Sequence, residues 1–131
     1  MARILLVEDD PSVARLLHRA LSAFGHDVTQ AADGREALLK WDEARPDVVV
    51  TDIHMPGMDG LELIHALHHR APEVRIVAIS GGGSRGTMLH LATAEKFGAQ
   101  KVLAKPFSTS ELVAAVDSVL RDQNRPSPDP V

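Results

Sequence analysis

The sequence predicts an α/β fold in which a five-stranded parallel sheet is doubly wound, with helices on both faces. Two observations carry the prediction. Short aliphatic runs such as Ile4 to Val7, Val48 to Val50 and Val74 to Ile79 lack polar alternation, as strands buried on both faces do. Between such runs lie stretches whose apolar residues recur at helical spacing and are bounded by capping residues. Five strands alternating with five helices call for right-handed crossovers, and of the two common doubly wound orders 2-1-3-4-5 suits five strands.

The first strand is Ile4 to Val7, closing on Glu8-Asp9-Asp10. Asp10-Pro11 is a helix start, with an aspartate N-cap and proline at the first helical position. Val13, Leu16, Leu17, Ala20, Leu21 and Phe24 then define an inner helical face, and Gly25 supplies the stop. His26 to Ala31 is a more polar strand, expected at an edge. Asp33 and Glu36 have capping-box spacing and open a helix through Trp41 to about Ala44, which Pro46 ends. Val48 to Asp52 is the third strand, an apolar run that stops abruptly on a carboxylate. His54 to Gly60 is a turn-rich loop, and Leu61, Ile64 and Leu67 mark the inner face of the next helix, which ends before Pro72.

Val74 to Ile79 is the fourth strand, closing on Ser80. Gly81 to Gly86 is a glycine-rich loop, followed by a helix with Met88, Leu91, Ala92 and Phe97 and a Gly98 stop. Lys101 to Ala104 is the fifth strand, ending at Lys105-Pro106. Ser108 and Glu111 form a second capping box, and Leu112, Ala115, Val116, Val119 and Leu120 give the last helix its inner face. Residues 1–122 therefore form one domain. Residues 123–131, rich in proline, are expected to be a disordered tail or the start of a linker.

Composition excludes several classes. The 131 residues are 44% hydrophobic and 24% charged, an ordinary globular balance large enough for one core. A net charge of −4 advertises no nucleic-acid surface. The lack of cysteine rules out disulfides and thiolate metal sites, and no run approaches membrane length. The expectation is a cytoplasmic, soluble domain with neither nucleic-acid nor membrane contact. His65, His68 and His69 are assigned to the solvated outer face of their helix, Trp41 to helix packing, and Met55 and Met58 to loop packing.

The 2-1-3-4-5 order brings strands 1 and 3 together at the switch point, with strands 4 and 5 beside them. Glu8, Asp9, Asp52, Ser80 and Lys105 then share one rim. Three crowded carboxylates repel one another unless a cation offsets them. With no His or Cys side chain among them, they make a hard-oxygen site suited to Mg²⁺. A carboxylate beside a divalent cation, an ammonium and a hydroxyl is equipped to attack phosphorus and to hold the charge on its equatorial oxygens.

At these residues the chain resembles a known family. Val7-Glu8-Asp9-Asp10-Pro11, Thr51-Asp52-Ile53-His54-Met55-Pro56-Gly57-Met58-Asp59-Gly60, Ile79-Ser80 and Lys105-Pro106-Phe107 are similar to the blocks of the receiver domain of bacterial two-component response regulators, in order and at suitable spacing, from about Ala2 to Leu120. The resemblance implies a flavodoxin-like (βα)5 fold and a phosphorelay protein, not an enzyme acting on a separate substrate. Asp52 would be the phosphoacceptor, charged by a histidine kinase or phosphotransfer protein. Asp9 would bind Mg²⁺ directly, Glu8 through water, and His54 through its backbone carbonyl. Ser80 would hydrogen-bond the phosphoryl group and Lys105 would pair with it, with Lys105-Pro106 cis and Asp10 left as a helix cap. The face formed by helix 4, strand 5 and helix 5 would bind a downstream partner.

The chain departs from the family's pattern at Val102, where a Tyr or Phe usually reports switching. The Gly81-Gly82-Gly83 loop is therefore expected to carry more of the change, so that Gly82→Ala or Gly83→Ala alters partner binding while sparing phosphorylation. Two other classes share parts of this chemistry. A flavodoxin-like cofactor binder needs a phosphate-cradling loop where this chain has Glu8-Asp9, and a Mg²⁺-dependent aspartyl-phosphate phosphatase needs a second acid and a substrate cap. A phosphorylation-independent interaction module is the remaining alternative.

Overall fold

A computed structural model of the chain describes residues 2–55, 57–81 and 92–121. Five parallel strands, β1 (Arg3–Val7), β2 (Asp27–Ala31), β3 (Val48–Asp52), β4 (Ile76–Ser80) and β5 (Lys101–Ala104), form one sheet in the order β2-β1-β3-β4-β5. The helices are α1 (Pro11–Ala23), α2 (Gly34–Ala44), α3 (Gly60–Arg70), the described part of α4 (residues 92–97) and α5 (Thr109–Arg121).

The strand side chains alternate between two cores, as the period of a pleated strand requires. Leu5, Val7, Val49, Ile76 and Ala78 pack with α2 and α3 around Trp41, Leu63, Ile64 and Leu67. Ile4, Leu6, Val48, Val50, Val77 and Ile79 pack on the other face with Leu17 and Leu21 of α1 and Leu112, Val116 and Val119 of α5. That double coverage is why these strands read as unbroken apolar runs. β2 lies at one edge and β5 at the other.

The caps form as the residue pattern implies. Asp10 accepts from the Ser12 and Val13 amides ahead of Pro11, and Asp33 from that of Glu36. Ser108 and Glu111 exchange both bonds of a capping box, each at 3.1 Å. Arg45 adopts a left-handed conformation that ends α2 just before Pro46. Trp41 is buried beneath the Arg45 guanidinium, and Met55 and Met58 pack inward.

The structure corrects four expectations. Leu16 and Phe24 are not on the inner face of α1 but 59% and 65% exposed. The buried stripe is Ala14, Leu17 and Leu21; Leu16, one step off it, is turned by about 100° toward solvent, and Phe24 is the C-cap, past the helix end at Ala23. On α3 the fully buried positions are Leu63, Ile64 and Leu67, with Leu61 only partly covered. His68 is not on the solvated face: its Nδ1 is buried, and the ring lies against Gly98, whose φ of +125° suits glycine. Finally β2 begins at Asp27, and β4 begins two residues later than Val74, at Ile76.

The late start of β4 has a physical cause in Gln100. Its side-chain Oε1 accepts from the Ile76 amide, and its Nε2 donates to the Val74 carbonyl at 2.8 Å. A side chain thus completes the ladder where β5 has not yet begun. Gln100→Ala is expected to strand both backbone groups and cost about 1–3 kcal/mol, measured as a shift in the urea denaturation midpoint at unchanged slope.

Candidate functional site

Sheet register assembles the site. Val7 is level with Thr51, Asp52 with Ile79, and Ser80 with Ala104. The residues at or just beyond these strand ends, Glu8, Asp52, Ser80 and Lys105, therefore converge at one rim. Strand β3 supplies Asp52 because Val48 to Asp52 is buried throughout, so the carboxylate cannot drift with a loop. Thr51, also fully buried, donates its hydroxyl to the Asp52 carbonyl at 3.0 Å.

The Asp52 carboxylate is held at both oxygens. Oδ1 accepts from the His54 backbone amide at 3.0 Å, and Oδ2 lies 3.6 Å from Lys105 Nζ. Lys105 Nζ also lies 3.9 Å from Glu8 Oε1, and the Lys105-Pro106 peptide bond is cis. Carboxylate oxygens of Glu8, Asp9 and Asp52 all lie within 4.8 Å of one another, Glu8 and Asp52 buried and Asp9 exposed. Ser80 Oγ, fully buried, sits 3.4 Å from the ring Nε2 of the exposed His54. Asp10 stays outside the cluster as the α1 cap, and its amide donates to Glu8 Oε2 at 3.1 Å.

Glu8 shows the electrostatic cost of the arrangement. Burial pushes its carboxyl up from the ordinary 4.5 to about 7; the Asp52 charge and the neighbouring Asp9 side chain add to the rise, and the Asp10 amide and Lys105 oppose it. Glu8 Oε1 is buried and makes no hydrogen bond among the described residues. An orphaned carboxylate oxygen facing two further carboxylates fits a hard divalent cation, which would favour the ionised form.

The folded protein holds the Glu8 proton more tightly than the unfolded chain does. The resulting stabilisation is full below the unfolded value of 4.5 and is lost as pH rises toward about 7. Without divalent cations, urea denaturation should show stability falling across that window, by about 3 kcal/mol at most. Glu8→Gln should remove most of the slope.

All five rim residues expected from the sequence are thus together, and His54 contributes a backbone amide and a ring. The contribution of two other residues was not legible from the pattern. Thr51 reads only as the end of an apolar run. Gly60 reads as a turn residue, yet a Cβ there would lie 2.2 Å from the Asp52 carbonyl oxygen and 2.5 Å from Ile53 Cα. The Asp59-to-Glu62 spacing was an available signal: Asp59 accepts from the Glu62 amide at 2.9 Å and caps α3 beside the site.

Fold and rim together define a flavodoxin-like (βα)5 domain with an acidic site at its switch point. The model of the response regulator receiver domain family matches residues 4–117, and the chain belongs to that family. The transcriptional regulatory protein TrcR of Mycobacterium tuberculosis is 37% identical over 119 residues, covering 91% of this chain and 45% of that protein. The response regulator MprA of Mycolicibacterium vanbaalenii is 39% identical over 127 residues, covering 97% of this chain and 52% of that one. The chain spans about half the length of the curated relatives it matches. Among solved structures, the receiver domain of NtrX from Brucella abortus superposes with a TM-score of 0.85 at 30% identity, over 91% of this chain and 98% of that one. The Vibrio cholerae chemotaxis protein CheY4 does so with 0.80 at 32%, with the same coverages. No helix among the described residues is long and apolar enough to cross a membrane.

Proposed function

We propose that Asp52 is the phosphoacceptor of a two-component phosphorelay and that a phosphohistidine on a kinase or phosphotransfer protein is its donor. The observation that carries the reading is the Asp52 carboxylate at the β3 terminus, with an ammonium 3.6 Å away and two more carboxylates in the same cluster. An Asp52 oxygen attacks phosphorus as the phosphorus–nitrogen bond of the donor breaks; with the donor ring protonated at its other nitrogen, the products are an acyl phosphate and a neutral imidazole. Lys105 pairs with the incoming charge, and Ser80 supplies a hydroxyl donor on the opposite side from the acids. Asp9, Asp52, the His54 carbonyl and, through water, Glu8 would hold Mg²⁺. When bound, the ion would neutralise the phosphoryl oxygens so that a dianion can approach three carboxylates.

The same electrostatics give a switch. Phosphorylation converts one negative charge at Asp52 into roughly two and adds acceptor oxygens. Ser80 responds, and the change reaches a partner-binding face built from α4, β5 and α5. Val102, half-buried against the α2–α3 core, takes the place of a rotating ring. Gly82 and Gly83, expected to carry part of the movement, lie outside the described residues, as do residues 122–131. We read residues 1–122 as the receiver, with a proline-rich tail or linker after it, acting in the cytoplasm on a protein partner. TrcR is named a transcriptional regulator, so control of transcription is one form the output can take.

Incubation with acetyl phosphate and Mg²⁺, followed by intact-mass measurement, tests the reading. One added phosphoryl group that a chelator prevents is the expected result. An unchanged mass would overturn it and leave a phosphorylation-independent interaction module.

A further inference from the structure

We infer that His54 is a positioning residue whose imidazole holds the Ser80 hydroxyl in the unphosphorylated state, and so sets how readily the site accepts a phosphoryl group. The inference rests on the phosphoacceptor reading. His54 is tied at both ends across the gap between β3 and β4. Its backbone amide donates to Asp52 Oδ1 at 3.0 Å, and its ring Nε2 lies 3.4 Å from Ser80 Oγ. One residue therefore touches the acceptor carboxylate and the hydroxyl that must turn toward the new phosphoryl group.

The freedom left to Ser80 is rotation of its side chain. The Ser80 carbonyl accepts from the Lys105 amide at 2.8 Å, and β4 is buried along its whole length. A fully buried hydroxyl has a strong preference for a partner, because leaving it unpaired costs free energy. In the unmodified protein the imidazole is that partner, in either tautomer: Nε2 accepts from the hydroxyl, or an Nε2 proton is donated to it. A phosphoryl oxygen is a better partner, since a charge-assisted hydrogen bond is about twice as strong as a neutral one. His54 is exposed, so a shift of its ring off Ser80 opens no buried cavity. The 3.4 Å separation marks a weak restraint that biases the site without locking it.

Beryllofluoride, a stable mimic of a carboxylate-bound phosphoryl group, tests the idea at equilibrium and is insensitive to hydrolysis rates. Its affinity, in the presence of Mg²⁺, is followed by amide NMR for wild type, His54→Phe, Ser80→Ala and the double variant. Phenylalanine keeps the ring and removes its nitrogens. His54→Phe is expected to bind roughly 2- to 5-fold more tightly, the effect of releasing one weak neutral hydrogen bond from the unmodified state. In the Ser80→Ala background the same substitution should change nothing. Equal or weaker binding by His54→Phe, or the same gain with and without the Ser80 hydroxyl, would overturn the inference. Failure of the wild type to bind beryllofluoride would instead overturn the phosphoacceptor reading and this inference with it.

Discussion

Asp52→Asn is expected to abolish phosphoryl uptake while leaving the domain at least as stable as the wild type. Asparagine has the shape of aspartate and keeps an oxygen to accept from the His54 amide, now 3.0 Å from Oδ1. It has no anionic oxygen to attack phosphorus, so the loss should be complete on the timescale of wild-type labelling. The stability side follows from the carboxylate cluster. The Asp52 charge is one of the influences raising the Glu8 carboxyl, and removing it relieves a repulsion inside a buried site. Against that stands the lost pairing with Lys105, which is one-third exposed and retains Glu8 at 3.9 Å. A partly solvated pair contributes little, so relief should match or exceed the loss. Intact mass after acetyl phosphate treatment and a metal-free thermal melt read the two halves separately. Wild-type labelling of the variant would remove Asp52 from its role.

The relation between pattern and structure differs from one element to the next. The β3 bounds were legible because Val48 to Val50 can be satisfied only by cover on both faces, and Asp52 marks where that cover ends. The rim was legible for the same reason: strand ends are conspicuous, and the 2-1-3-4-5 order then dictates which of them meet. Helix faces were less so. Leu16 belongs to an apolar arc too wide for spacing to say which member meets solvent, and Phe24, in register with Leu17 and Leu21, falls past the helix end at Ala23. The β4 start was hidden because Gln100 stands in for backbone, a substitution with no local signature. His68 depended on Gly98, thirty positions away in the chain, and not on its own helix. In each case the missing information was a contact between distant segments.

Gly60 is the clearest such contact, and Gly60→Ala is expected to destabilise the domain by roughly 3–5 kcal/mol. The first turn of α3 presses on the end of β3, and the Gly60 amide donates to the Ile53 carbonyl at 2.8 Å. An added Cβ would meet the Asp52 carbonyl oxygen at 2.2 Å and Ile53 Cα at 2.5 Å. Both obstacles are backbone, so no side-chain rotation can yield. Either α3 lifts, which uncovers the fully buried Leu63, Ile64 and Leu67, or the Asp52–Ile53 peptide is displaced. The second route moves the residue proposed to accept phosphate, so the folded fraction should also label more slowly. Gly81→Ala is the matched control near the same rim: its Cβ would stand 3.7 Å from Lys105 Cδ, an ordinary contact. Urea denaturation of the two variants checks the contrast, with the Gly81 substitution expected within about 0.5 kcal/mol of wild type. A Gly60→Ala cost below about 1 kcal/mol would mean that α3 is not seated against the phosphoacceptor strand as tightly as this packing requires.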